Sequence, residues 1–137
     1  MKRKATAVWN GTIKEGKGHL SSQSQVLQKT PYSFHTRFED EKGTNPEELI
    51  GAAHAGCFTM QLSANLSKAD FNPVELETKC EITFEDGSVT RSHLILSAKV
   101  PGISQEKLDE LVNDAKENCP ISRLLNTKIS IESSLNG

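Results

Sequence analysis

Three cysteines, Cys57, Cys80 and Cys119, are the side chains of this sequence best suited to covalent or redox chemistry, and four histidines, His19, His35, His54 and His93, accompany them. Cys57 lies in Ala55-Gly56-Cys57-Phe58, where it reads as a small buried hydrophobe as readily as a nucleophile. Cys119 sits in Asn118-Cys119-Pro120, which sets its sulfur at the start of a helix. The exposed N–H groups and dipole of a helix start favour thiolate over thiol, so on residue types alone Cys119 is the more acidic sulfur. Cys80 falls on the apolar side of an alternating segment and reads as core.

Metal binding is the first alternative. Zinc sites usually draw on close ligand pairs, such as two cysteines about two to four residues apart, and the nearest two cysteines here are Cys57 and Cys80. No spacing supports a metal, and no cofactor is expected. His54 precedes Cys57 by one helical turn and reads as a packed histidine. With a carboxylate it also permits a cysteine hydrolase or acyltransferase, a reading that leaves Cys119 without a task.

The elements that must position these residues follow from local pattern. Ala5 to Asn10 alternates, Gly11 breaks it, and Gly16 and Gly18 flank the approach to His19-Leu20-Ser21, which suggests a three-strand meander. Tyr32 to Phe38 also alternates, and as a strand it would put Tyr32, Phe34, Thr36 and Phe38 on one face, with Arg37 on the other. Asn45-Pro46-Glu47-Glu48 is a strong helix start, with a capping residue, a proline at the first position and an acid three residues past the cap. This helix should run to about Lys68 and, being rich in Ala and Gly and apolar nearly all round, should be buried on every side. Val74 to Phe84 reads as a half-buried strand, Asp86-Gly87 as a hairpin turn and His93 to Val100 as its partner. Ser104 should cap a second long helix, a short helix should follow Pro120, and Lys128 to Ile131 should form a last strand.

Composition sets the outer limits. The chain of 137 residues, 35% hydrophobic and 25% charged, suits one globular domain over 1–137. A net charge of -2, with basic residues scattered beyond Lys2-Arg3-Lys4, offers no stripe for a nucleic-acid backbone. The segment Ala5 to Gly11 is too short and polar for a signal peptide, and no run approaches the roughly 18 apolar residues of a membrane span. Neither nucleic acid nor membrane is expected as a partner. An odd number of cysteines without a secretion signal points to a reducing, cytoplasmic setting.

Three stretches resemble the OsmC and Ohr group, the osmotically inducible and organic hydroperoxide resistance proteins: Pro31 to Phe38, Gly43 to Phe58 and Asn118-Cys119-Pro120-Ile121-Ser122. The arginine about twenty residues before the first cysteine looks like the OsmC branch more than the Ohr branch. The resemblance implies an α+β fold in which Cys57 is the peroxidatic cysteine, Cys119 resolves it as a disulfide in the same chain, and Arg37 and Glu47 form the polar pair that activates the sulfur. It implies a cysteine-based peroxidase for organic hydroperoxides and hydrogen peroxide, recycled by an external dithiol such as a lipoylated protein. It also promotes Cys57 over Cys119, against the ranking by residue type. A nearby guanidinium accounts for that reversal if it lies within about 4 to 6 Å of the sulfur.

Glu47 and Cys57 are ten residues apart. In one continuous helix they would be about 15 Å apart along the axis and on different faces. If both serve one site, an antiparallel second copy of the helix must bring them together, which predicts an intertwined homodimer with long central helices wrapped by antiparallel β-sheets. A helix starting later than Pro46 would remove that requirement. Phe34, Phe38, Phe58 and Met60 are candidates for an apolar pocket near the sulfur. The competing reading is a non-enzymatic redox-sensing or small-molecule-binding protein of the same fold.

Overall fold

Alternation in Ala5-Thr6-Ala7-Val8-Trp9-Asn10 produces the first strand, β1 (Ala5–Asn10), which pairs antiparallel with β2 (Lys17–Ser22); β2 pairs antiparallel with β3 (Thr30–Tyr32). The predicted meander is present. Trp9 and Tyr32 meet edge to face across β2, with ring centroids 5.5 Å apart. They close over Gly18, where a Cβ would lie 2.6 Å from both rings, so only glycine fits. The computed structural model describes residues 1–136 and resolves into two compact units, Met1–Leu49 and Ile50 onward.

The segment after β3 departs from the expected strand. It forms a short helix, α1 (Phe34–Phe38), capped by Ser33. Ser33 Oγ accepts the Thr36 N–H and Thr36 Oγ1 accepts the Ser33 N–H, a reciprocal capping box that outweighs the alternating pattern. Helical spacing keeps Phe34 and Phe38 on one face, centroids 5.0 Å apart. It also turns Arg37 toward the aromatic side, with its guanidinium carbon 5.2 Å from the Phe38 ring centre, where the strand reading had turned it away.

The long helix α2 (Pro46–Lys68) starts and stops as predicted. Asn45 Oδ1 accepts the Glu48 N–H at 2.7 Å, while its amide donates to the Thr36 carbonyl, so one cap tethers the ends of α1 and α2 to each other. Glu48 accepts from Thr44 Oγ1 instead of completing a capping box on Asn45. At the far end Asp70 adopts φ 65°, and the Phe71 N–H returns to the Leu66 carbonyl. Within the chain α2 is buried along one stripe only, Gly51, His54, Phe58, Leu62, Asn65 and Leu66. Ala52, Ala53, Gly56 and Met60 are exposed, so the expectation of burial on every side does not hold for a single copy.

From Ile50 onward, β4 (Glu75–Glu85) and β5 (Ser88–Lys99) form a hairpin through Asp86 and Gly87, with φ 48° and 78°. Two successive positive φ values are what a two-residue turn matched to strand twist needs. Ser104 caps α3 (Gln105–Asn118), which is followed by α4 (Pro120–Leu124) and β6 (Lys128–Leu135). β6 pairs parallel to β5, a correction to the all-antiparallel expectation. The physical reason is the α3–α4 crossover, which returns the chain to the end of the sheet from which β5 started. The core gathers Phe58, Leu62 and Leu66 of α2, Leu94, Leu96 and Ala98 of β5, and Leu108, Val112 and Ala115 of α3 on one sheet face. Each large apolar side chain so buried contributes about 1.5–3 kcal/mol. Buried Asn65 donates to the Leu111 carbonyl and to Asp114, fixing α2 against α3.

Asn45→Ala removes both tethers at the head of α2. Urea unfolding is expected to show a loss of about 1–2 kcal/mol; a change below about 0.3 kcal/mol would contradict this account of the cap.

Candidate functional site

The four residues singled out in the sequence fall into two pairs, each inside one unit. In the first, Arg37 Nε donates to Glu47 Oε1 at 2.9 Å and an Arg37 terminal nitrogen donates to Glu47 Oε2 at 2.8 Å. This two-pronged geometry holds the guanidinium plane fixed. The hydrogen bond to Glu47 raises the Arg37 pKa further above its already high value, so the cation persists at every working pH. Beside it, Trp9, Ile13, Phe34 and Phe38 line a mostly apolar cleft of about 210 Å³ into which Arg37 also faces.

The second pair is built by a proline. Pro120 cannot continue α3, and it pushes Cys119 into an extended conformation, φ -64° and ψ 135°. Cys119 therefore ends α3 and caps α4 at once. Its sulfur accepts the Ser122 N–H at 3.3 Å. Cys57, reaching in from α2, packs against the core cluster that contains Cys119, close enough to the Ile121 N–H and the Cys119 thiol for both to act on its pKa. One helix start thus serves both sulfurs, where the sequence had assigned it to Cys119 alone. Burial is the main influence on Cys57 and pushes its pKa up; the Ile121 N–H opposes this and the neighbouring Cys119 adds to it.

Other expectations resolve differently. Phe58 is fully buried in the core and Met60 is 77% exposed on α2, so of the four apolar candidates only Phe34 and Phe38 line a cleft. Cys80 sits on the inward side of β4, its thiol raised in pKa by burial and placed 3.2 Å from Ser92 Oγ. Among the described residues, no group of three His, Cys, Asp or Glu side chains is arranged to hold a metal ion. His54 is fully buried, with Nδ1 2.6 Å from Ser92 Oγ and Nε2 2.7 Å from Ser122 Oγ. Its place one turn before Cys57, and that of Ser122 one turn after Cys119, were visible signals. Nothing in the sequence marked Ser92.

Two neighbouring free thiols at a helix start, on an α+β frame, are the arrangement in which one sulfur can attack and the other can close a disulfide. Comparison with known proteins narrows the class. The OsmC-like protein family matches residues 39–134. Peroxiredoxin OsmC of Escherichia coli K12 is 44% identical over 134 residues, covering 95% of this chain and 94% of that protein. The organic hydroperoxide resistance protein OhrB of Bacillus subtilis is 27% identical over 84% of this chain and 86% of its own. The crystal structure of that OhrB superposes with a TM-score of 0.63 over 97% of this chain and 98% of its own, at 25% identity. An OsmC-like protein from Mycoplasma pneumoniae shares the fold, with a TM-score of 0.79 over 100% and 99% of the two chains at 15% identity. This chain belongs to the OsmC-like family.

Mild oxidation with diamide is expected to join Cys57 to Cys119 within one chain at a rate independent of protein concentration. Peptide mapping that found Cys80 in the product, or a second-order dependence on protein, would contradict the adjacency.

Proposed function

We propose that this chain is a cysteine-based peroxidase for organic hydroperoxides, with Cys57 as the attacking sulfur and Cys119 as the resolving one. The observation that carries this reading is the packing of Cys57 against the cluster that holds Cys119 at the head of α4. The Cys57 thiolate attacks the distal oxygen of the peroxide, the O–O bond breaks, and the alkoxide leaves as an alcohol after taking up a proton. Cys119 then displaces the oxygen of the Cys57 sulfenic acid as water and closes a disulfide before further oxidation can destroy the site. An external dithiol, of which a lipoylated protein is one chemical fit, reduces the disulfide. The 44% identity to a protein named a peroxiredoxin supports the assignment. The apolar cleft beside Arg37 favours organic hydroperoxides over hydrogen peroxide.

Burial raises the Cys57 pKa, so the attacking thiolate needs a cation. Arg37, held by Glu47, supplies it from a second copy of the chain. Glu47 is the second residue of an unbroken helix and Cys57 lies ten residues on, so helix geometry separates them by about 15 Å along the axis. The exposed small and apolar side of α2, with Ala52, Ala53, Gly56 and Met60, is the surface on which two such helices would pack antiparallel in an intertwined homodimer. Both units then belong to one OsmC-like domain whose site is completed by its partner. No helix among the described residues is long and apolar enough to cross a membrane, and three unpaired cysteines suit the reducing cytoplasm.

With cumene hydroperoxide and a dithiol, Cys57→Ser should abolish turnover. Cys119→Ser should permit one oxidation and then accumulate sulfinic acid on Cys57, and Cys80→Ser should turn over normally. Loss of the first oxidation in Cys119→Ser alone would reverse the roles, and a single stoichiometric burst in the wild type would indicate a sensor. The shared site has its own test. Glu47→Ala and Cys57→Ser chains, each inactive, should regain about a quarter of wild-type activity when unfolded and refolded together, because half the random dimers carry one complete site. A mixture that stays inactive, or a wild type fully active as a monomer, would refute the dimeric site.

A further inference from the structure

The buried residues hold a hydrogen-bond path that the peroxidase reading does not use. Starting from Cys119, its sulfur lies 3.2 Å from Ser122 Oγ, which lies 2.7 Å from His54 Nε2. On the other side of the ring, Nδ1 lies 2.6 Å from Ser92 Oγ, which lies 3.2 Å from Cys80 Sγ. His54, Cys119 and Ser92 are fully buried and Ser122 is nearly so. A neutral imidazole with its proton on Nδ1 gives this path one unbroken sense. Cys119 donates to Ser122, Ser122 to Nε2, Nδ1–H to Ser92 and Ser92 to Cys80, so each group between the end thiols donates once and accepts once.

We propose that His54 is a positioning and proton-relay residue for the resolving step, taking the proton of Cys119 through Ser122 as Cys119 attacks the oxidised Cys57. The inference rests on the peroxidase reading for the oxidant but not for the relay itself. As the bond between the two sulfurs forms and the bond from Cys57 sulfur to oxygen breaks, the Cys119 proton passes to Ser122 Oγ while the Ser122 proton passes to Nε2. The imidazolium so formed donates from both nitrogens and returns its proton along the same path. One water leaves, made from the sulfenic hydroxyl and the thiol proton, and Cys57 is reduced as Cys119 is oxidised to the shared disulfide.

The surroundings fit this use. The ring faces Ser122 of α4 and Ser92 of β5, and the titratable groups behind them are Cys119 and, on β4, Cys80. Burial lowers the His54 pKa below its ordinary value, so near neutral pH the ring is uncharged and Nε2 can accept the Ser122 hydroxyl proton in a hydrogen bond. A packed histidine with no role in chemistry would need its two hydrogen bonds satisfied but would not need one of its serine partners to touch Cys119 as well.

Rapid mixing separates the two chemical steps, with sulfenic acid formation read by trapping and disulfide closure by quenched mass analysis. His54→Gln keeps polar atoms at the site but cannot take up a proton, Ser122→Ala breaks the bridge beside an intact ring, and Ser122→Thr restores the hydroxyl. In both His54→Gln and Ser122→Ala, closure is expected to slow by about 10²-fold while the first oxidation keeps its rate, and Ser122→Thr should recover most of the loss. Wild-type closure should stay flat across neutral pH. In the two slow variants it should rise with pH, as hydroxide takes over from the lost proton acceptor. Unchanged closure and pH profile in Ser122→Ala would overturn the relay, whether or not His54→Gln folds. Diamide supplies an independent arm, since the second thiol displaces its adduct without peroxide. A wild type inert to peroxide but closed rapidly by diamide would refute the peroxidase reading alone, and the variants' diamide rates would still decide the relay.

Discussion

The interruption at Pro120 is the constraint on which the placement of Cys119 depends. Without it α3 would run on, and the Cys119 sulfur would lie along a helix side. With it, the backbone at Cys119 is extended, α4 begins afresh, and its first free N–H groups point at sulfur instead of at a preceding turn. Those N–H groups are shared. Ser122 donates to Cys119 and the Ile121 N–H acts to lower the Cys57 pKa, so the proline sets the surroundings of both thiols through one helix start. The crossover that carries this break also delivers β6 alongside β5 in parallel, so the sheet and the thiol pair are consequences of the same connection.

Helix α2 answers to two demands at once. Its buried stripe, from Gly51 to Leu66, needs residues that fit the sheet and α3: a glycine opposite Ile82, phenylalanine and leucines in the core, and an asparagine bridging to Asp114. Its other side carries Ala52, Ala53 and Gly56, which add little bulk and permit close approach. A helix meant only to float on its own core would place charge there. The weak contrast between its two sides is why its sequence reads as buried all round.

Where local chemistry decides structure, the residues were legible. Asn45-Pro46, Asp86-Gly87, Ser104 and Cys119-Pro120 each set a boundary by a dihedral or a cap, and each boundary appears where those residues put it. Tyr32 to Phe38 shows the limit. A two-residue alternation also places Phe34 and Phe38 four apart, which satisfies a helix equally well, and the deciding signal was the pairing of Ser33 with Thr36 across one turn. The direction of β6 was out of reach because a strand pattern carries no sense of its neighbour. The nearness of Cys57 to Cys119, set by α2 packing on the α3–α4 junction, and the Ser92 link to His54, 38 residues distant, set by α2 packing on β5, leave no local trace.

The choice of a neutral, hydrogen-bonded imidazole at the centre of the core has an electrostatic reason. A carboxylate in the position of His54 could also accept a proton, but as a buried anion it would oppose the negative charge that the proposed reaction places on Cys57. A lysine or arginine would favour those thiolates but would bury a cation with no carboxylate beside it, at a cost of several kcal/mol. At rest a neutral histidine avoids both, and the proposed relay charges it only transiently. It adds no charge to a site where burial already raises the Cys57 pKa, its two nitrogens are met by Ser92 and Ser122, and its desolvation only lowers its own pKa. The core can therefore hold an uncharged imidazole one hydroxyl away from Cys119 without adding resting charge beside Cys57.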